Sequence, residues 1–248
     1  MRMMKKVLGT VTVLALSVSL LAGCGSTAAE STTSSVVSET TSAAADENVA
    51  AAAQLLNDLT GSYQELWPVI LADEYKQTWL DVCTALVGED NAEAAFEKLS
   101  SMVTGDVYGE DAVEAYANGG GAYFCGFTNS LATLTFDGET STISGTDKDG
   151  NVLFSHTYHY IGMEPVHGLY EFESDDADSG EFTYFFLAPD TSAETYHIEF
   201  RYGSDAEALS QYDAGEYAYW VASGISTDCD QTMIDNCIEL FCTENLAG

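Results

Sequence analysis

Hydrophobic and polar residues alternate with a period of two along the second half of the chain, after the triplet Gly119-Gly120-Gly121. Side chains point alternately to the two sides of a β-strand, so this alternation predicts strands. The segments, about six or seven in number, are rich in β-branched and aromatic residues, and turn sequences such as Asp137-Gly138 and Asp149-Gly150 separate them. They predict an up-and-down antiparallel barrel over about residues 122–225, because closure removes the exposed edges of a flat sheet.

The first half has helical spacing instead. From about residue 48 to residue 118, apolar residues recur every three or four positions, with breaks at Gly88, Gly105 and Gly109. A last helix is predicted over about residues 231–245, where one face carries Met233, Ile234, Cys237, Ile238 and Phe241. The chain is therefore predicted to be an α+β protein with N-terminal helices, an antiparallel β-barrel and a C-terminal flanking helix.

The N-terminus has the pattern of an export signal. Three basic residues precede an apolar stretch from Val7 to Leu21, which is too short to span a membrane as a helix. The following Leu21-Ala22-Gly23-Cys24 resembles the lipobox of bacterial lipoproteins, whose cysteine receives a lipid after cleavage. We therefore predict a signal peptide over residues 1–23, lipidation at Cys24, a disordered tether over residues 24–47 and one folded domain over residues 48–248.

Net charge changes the picture of possible partners. Three of the seven basic residues lie in the predicted signal peptide, which leaves four against 40 acidic residues. Such a surface repels nucleic acids and anionic lipid and attracts cations, although acidity also keeps an exported protein soluble. We expect no nucleic-acid partner, and contact with the cell membrane through the lipid anchor alone.

Cysteine spacing leaves the disulfide pattern open. Five cysteines follow Cys24, namely Cys83, Cys125, Cys229, Cys237 and Cys242. Export permits disulfides, but an odd number leaves at least one thiol free or paired with another molecule. Cys237 and Cys242 point to different sides of one predicted helix and are poor partners for each other. The sequence contains no CxxC, which argues against a redox motif or a sulfur-rich zinc knuckle.

One predicted strand, Ala193 to Gly203, carries a histidine among alternating residues. Its apolar side holds Tyr196, Ile198, Phe200 and Tyr202, and its polar side holds Thr195, His197, Glu199 and Arg201. We expect Thr195, His197 and Glu199 at successive inward positions of the barrel, with imidazole and carboxylate about 7 Å apart along the strand. Such a pair suits a weak metal site; a hydrogen-bonded interior histidine is the alternative.

Three segments together resemble the ZinT-type zinc-recruitment domain, over roughly residues 59–225. They are LTGSYQELWPVILADEY from Leu59, TYHYIGMEPV from Thr157 followed by GLYEFE, and SAETYHIEFRYGSDAEAL from Ser192. The resemblance implies a lipocalin-like (calycin) barrel that holds zinc in its mouth with three histidines. It also implies that the metal is buffered for, or delivered to, an ABC importer or its solute-binding protein.

The resemblance carries over to this chain in part. The family's His-x-His falls on Thr195 and His197, so the first ligand is absent. The third histidine has no counterpart near residues 185–190, where Asp190 is the available donor. The expected metal ligands are therefore His197, Glu199, Asp190 and His167, although His156 and His159 are further candidates of which at most one faces inward.

Catalytic motifs are missing from the sequence. It has no GxSxG elbow, no glycine-rich phosphate loop and no HExxH, and we expect no enzyme. The acidic stretch Asp175, Asp176, Asp178 and Glu181 is interpreted as a solvated hairpin loop, with a calcium site as the alternative. The expected function is extracytoplasmic capture of zinc or another divalent ion; the alternative is a ZinT-like barrel with a degenerate metal site that binds a small organic ligand or a protein partner.

Overall fold

The computed structural model describes residues 47–188 and 197–246. Its strands are β1 (Gly61–Glu65), β2 (Thr133–Asp137), β3 (Thr142–Thr146), β4 (Val152–Met163), β5 (Tyr170–Ser174), β6 (Tyr184–Leu187), β7 (His197–Gly203) and β8 (Ala222–Ser226). Its helices are α1, described over 47–58, then α2 (Leu66–Ile70), α3 (Lys76–Val87), α4 (Glu89–Val103), α5 (Glu110–Ala117), α6 (Ala206–Leu209) and α7 (Gln231–Leu246).

The eight strands form a closed antiparallel barrel in chain order. Closure occurs where β1 pairs with β8, with Tyr63 opposite Ser226. The predicted α+β architecture, an antiparallel barrel flanked by helices on both sides of the sequence, is confirmed.

Two local predictions were wrong. Strand β1 lies inside the segment predicted to be helical, because five residues between two helices are too few to reveal a period of two in the sequence. The stretch around Phe124, predicted as the first strand, forms isolated bridges to Thr104 and Trp220 instead. Its alternation reflects packing against the barrel's end, where Cys125 and Phe127 are buried.

Aromatic side chains fill the barrel interior. Five of them are at most 1% exposed and belong to strands β2, β5, β6 and β7, namely Phe136, Phe172, Phe185, Phe200 and Tyr202. The rings of Phe185 and Tyr202 stack with their centroids 5.4 Å apart. Burying each such side chain stabilises the fold by about 1.5–3 kcal/mol, so the apolar face of every strand is drawn inward.

A second apolar cluster lies outside the barrel, where α2, α3, α4 and α7 pack together and against β8. Its centre is Trp79, which is fully buried and donates its indole N–H to the carbonyl oxygen of Ile70 at 2.7 Å. Phe241 of α7 packs edge-on against Trp67 of α2, with 4.8 Å between the ring centroids. The predicted C-terminal helix therefore covers the outer side of the sheet.

Within residues 47–188 and 197–246, the structure contains no helix that is both long and apolar enough to cross a membrane. The signal peptide, Cys24 and the tether lie outside these residues, as do Asp190 and Thr195. The predictions that concern them stay predictions.

Candidate metal centre

Strand β7 presents its two sides to different surroundings. Ile198, Phe200 and Tyr202 lie in the barrel core, each at most 1% exposed. His197 and Glu199 therefore point to the outer side, the opposite of what we expected from the sequence. Burying three large apolar side chains is worth far more than burying an imidazole and a carboxylate, whose desolvation costs free energy.

Pairing with β8 fixes where His197 and Glu199 stand on the outer surface. His197 lies opposite Ile225, and Glu199 lies opposite Ser223. Ile225 and Ser223 are buried, Ile225 within the helical cluster. The outer face of β7 at His197 and Glu199 therefore lies next to the helices that pack on β8.

His197 and Glu199 line one small cavity, which we call the β7–α7 pocket. Its volume is about 30 Å³, close to the space of one water molecule or one ion. Its other walls come from α2 and α7, namely Leu66, Trp67, Ile70, Cys237, Leu240, Phe241 and Glu244. An imidazole and two carboxylates therefore surround a space of ionic size.

The donors around this pocket differ in their readiness to bind a metal. Glu199 and Glu244 are exposed and His197 is half-buried. Cys237 is buried, and burial raises the pKa of its thiol to about 12. The thiolate is the form that binds metal, so Cys237 would have to lose its proton to join the site. His197, Glu199 and Glu244 are the donors that need no buried thiolate.

These donors do not form a ready coordination sphere. Among the described residues, no three His, Cys, Asp or Glu side chains are close enough together to hold a metal ion. Zinc takes four N, O or S donors, of which water can supply one. A metal in the β7–α7 pocket would require the exposed carboxylates of Glu199 and Glu244 to turn towards the His197 imidazole.

His167, another expected ligand, lies in a different cavity. This cavity has a volume of about 220 Å³, and Glu199 lines it as well, so Glu199 borders both spaces. The His167 ring stacks on Tyr212 with 3.7 Å between centroids, and its Nδ1 atom is 3.5 Å from a Glu164 carboxylate oxygen. Glu199 thus shares one cavity with His167 and another with His197.

His156 and His159 each pair with an aspartate. The Nδ1 atom of His156 is 2.7 Å from Asp176, and that of His159 is 2.8 Å from Asp175. The His159 side chain is 52% exposed and that of His156 is 16% exposed, in keeping with the expectation that they face opposite sides. Two carboxylates of the acidic loop are thereby engaged with imidazoles, which favours the loop interpretation over a calcium site.

Solved structures similar to this chain include two from Streptococcus pneumoniae. The first is the zinc-bound ZinT-like domain of AdcA from Streptococcus pneumoniae: 16% of residues are identical, the match covers 74% of this chain and 89% of that one, and the TM-score is 0.47. The likeness is to a ZinT-like domain. The second is zinc-bound AdcA from the same organism, with 14% identity, 75% of this chain and 35% of that chain covered, and a TM-score of 0.45.

The sequence segments described above resemble the same ZinT-type family. No protein-family model matches the sequence, and no curated protein matches it. The likeness concerns the fold, so the ligands are argued from this chain's own side chains.

The sequence analysis did not predict that Arg201 would be buried beside the cavity that His167 lines. Arg201 is fully buried on β7, and its guanidinium lies 4.3 Å from the centre of the Tyr212 ring. It donates hydrogen bonds to the carbonyl oxygens of Leu209, Gln211 and Tyr217. Burial lowers the pKa of Arg201. The signal in the sequence was a single arginine placed between aromatic residues.

Glu164 was missed as well. It is fully buried at the end of β4, and its carboxylate accepts hydrogen bonds from the backbone N–H groups of Val166 and His167, at 3.0 and 2.5 Å. A carboxylate that closes the turn after its own strand is a local backbone cap. Glu164 therefore fixes the turn that presents His167 rather than offering a free ligand.

Proposed function

We propose that this chain is an extracytoplasmic protein that binds a divalent cation, zinc above all, at the β7–α7 pocket. The observation that carries the proposal is that His197 and Glu199, on one face of β7, line the same ion-sized cavity as Glu244 of α7. Imidazole and carboxylate are both zinc donors, and three protein donors with one water complete a tetrahedral shell.

Cargo binding suits this arrangement better than structural metal binding does. A structural zinc site is a closed set of four protein donors, whereas among the described residues the β7–α7 pocket offers one imidazole and two carboxylates besides the buried thiol of Cys237. A site whose carboxylates are exposed and must rotate to bind releases its ion readily. Asp190, which precedes β7, stays a predicted additional donor.

The proposal includes a location and a recipient. Lipid attached to Cys24 would hold the domain outside the cell membrane, and the acidic surface would raise the local cation concentration. The family resemblance supports delivery of the ion to an ABC importer or its solute-binding protein. We assign no catalytic step to the chain.

Equilibrium dialysis of the full chain against zinc tests the site. We expect His197→Ala to weaken zinc binding at least tenfold, since it removes the one imidazole in the pocket. His159→Ala is the matched control, because it removes an exposed imidazole paired with Asp175, and we expect it to change zinc affinity less than twofold. Equal zinc affinity in the wild type and in both variants would refute the site.

A second candidate function is binding of a small organic ligand outside the barrel. A cavity of about 330 Å³ lies between α2, the end of α4 and residues 124–126, and it is lined mainly by apolar groups of Trp67, Leu71, Val103 and Phe124. Glu65 supplies a carboxylate at this cavity. Native mass spectrometry of the purified chain tests this second function. We expect the wild type to carry a bound molecule and Val103→Trp to lack it, because the tryptophan side chain fills the cavity. Wild-type protein that carries no molecule, or one retained in the variant, excludes this candidate.

A further inference from the structure

Cys83 and Cys242 meet in the middle of the helical cluster. Cys83 lies in α3 and Cys242 in α7, both fully buried, and their Sγ atoms are 3.9 Å apart. The two residues are 159 positions apart in the sequence. Their proximity is thus a product of tertiary packing, and it selects one pairing among those that five cysteines allow.

The approach is close to bonding range. A disulfide requires an S–S distance of about 2.05 Å, so the two sulfurs would have to move together by about 2 Å. Rotation about the two Cα–Cβ bonds together with a small shift of α7 would have to supply this movement. The surroundings are apolar, because Trp79 of α3 and Phe241 of α7 pack against each other with 6.1 Å between their ring centroids.

We propose that Cys83 and Cys242 form a disulfide that fastens α7 to α3 when the protein folds in an oxidising compartment. The inference does not depend on the proposed metal function. It needs an external disulfide as oxidant, such as oxidised glutathione or a disulfide of an oxidoreductase. The thiolate of one cysteine attacks the oxidant and releases one thiol; the second cysteine then attacks the mixed disulfide and releases the other thiol.

Burial sets when this bond forms. Both side chains are fully buried, so an external disulfide cannot reach either thiol in the folded protein. Oxidation therefore takes place during folding, before α7 is seated, and the finished bond is protected from reductants. It would close a long loop and so restrict the unfolded chain strongly.

The bond would also bear on the candidate metal centre. Phe241 and Glu244, which flank Cys242 in α7, line the β7–α7 pocket. Fastening Cys242 to α3 would hold these two residues at a constant distance from His197 and Glu199. The disulfide thus acts on the wall of the pocket and contributes no metal ligand.

Peptide mapping tests the proposal directly. The full chain is unfolded, refolded with oxidised and reduced glutathione, alkylated and cleaved after glutamate. Cuts after Glu74, Glu89, Glu239 and Glu244 put Cys83 and Cys242 on separate peptides with no other cysteine. We expect these two peptides to be joined. Alkylated Cys83 and Cys242, or a bond of either to another cysteine, would overturn the proposal.

Thermal unfolding supplies the second measurement. The oxidised wild type should melt about 5–15 °C above the reduced protein. We expect this difference to vanish in Cys83→Ser and in Cys242→Ser, and to persist in the matched control Cys229→Ser, whose thiol is partly exposed. A redox-dependent melting temperature that survives in Cys83→Ser would also refute the assignment, and the wild-type comparison stands even if a variant folds poorly.

Discussion

The inner and outer sides of β7 are built from different chemistry and do different things. Phe200 and Tyr202 point inward into a packed aromatic core, whereas His197 and Glu199 point outward to small cavities under the helices. The inner side provides the stability that holds the strand in register, and the outer side carries the groups able to bind a ligand. In this barrel, therefore, the candidate chemistry lies on the outer wall and not in the lumen.

The largest effect should come from the inner side. Phe185→Ala removes a fully buried ring from the barrel core and leaves a cavity, so we expect a loss of about 3–5 kcal/mol in the free energy of unfolding. Urea denaturation followed by circular dichroism measures it. Val152→Ala is the control, since that side chain is 71% exposed and its loss should change stability by less than about 0.5 kcal/mol. Similar losses in both variants would show that the lumen is not the stabilising core.

Arg201 sharpens the comparison, because it lies on the outer side of β7 yet is fully buried. Arg201→Met keeps much of the volume but leaves the carbonyl groups of Leu209, Gln211 and Tyr217 without their donor. We expect a loss of about 2–4 kcal/mol. Glu207→Gln, at an exposed position of α6, is the control and should be nearly neutral. An Arg201→Met protein as stable as wild type in urea would mean that the guanidinium does not secure residues 209–217.

The smallest effect concerns alkaline pH. Burial raises the pKa of Tyr63 from 10 to about 12, so the folded state favours the neutral phenol. The contribution to stability is complete below pH 10 and is lost as pH rises towards 12, because the unfolded chain ionises first. Tyr63→Phe keeps the ring and removes the titration.

We expect the melting temperature of Tyr63→Phe to fall less than that of the wild type between pH 10 and pH 12. The corresponding difference in the free energy of unfolding is less than about 1 kcal/mol at pH 11, after allowance for solvent screening. Tyr184→Phe, at a less deeply buried position, is the comparison and should have a smaller effect. A Tyr63→Phe profile that coincides with wild type over this range would contradict the assignment.

Most of the fold could be predicted from the sequence, but less of the candidate metal centre could. Period-two segments revealed β2 to β7, because side chains alternate between the two sides of each strand, and the last helix was visible from its apolar face. Strand β8 was not among these segments, since four of its five residues are buried and its sequence does not alternate. The strand β1 was hidden by its shortness. The facing of His197 was misjudged because alternation states which residues share a side and not which side is inside.

The sequence could not predict which side chains would lie next to each candidate donor or thiol. Glu244 joins His197 and Glu199 through the packing of α7 against α2, and Cys83 meets Cys242 across 159 residues of chain. Neither relation leaves a local pattern in the sequence. His167 lines a cavity that Glu199 also borders, and this cavity is separate from the one that His197 lines.

What the sequence determined by itself is the set of periodicities, and hence the succession of helices and strands and the strong negative charge. Tertiary structure decided which face of β7 enters the core, which helix covers its other face and which thiols and carboxylates meet there. The physical reason is that period and charge are properties of neighbouring residues, whereas the choice of inside follows from the total apolar area that the closed barrel removes from water.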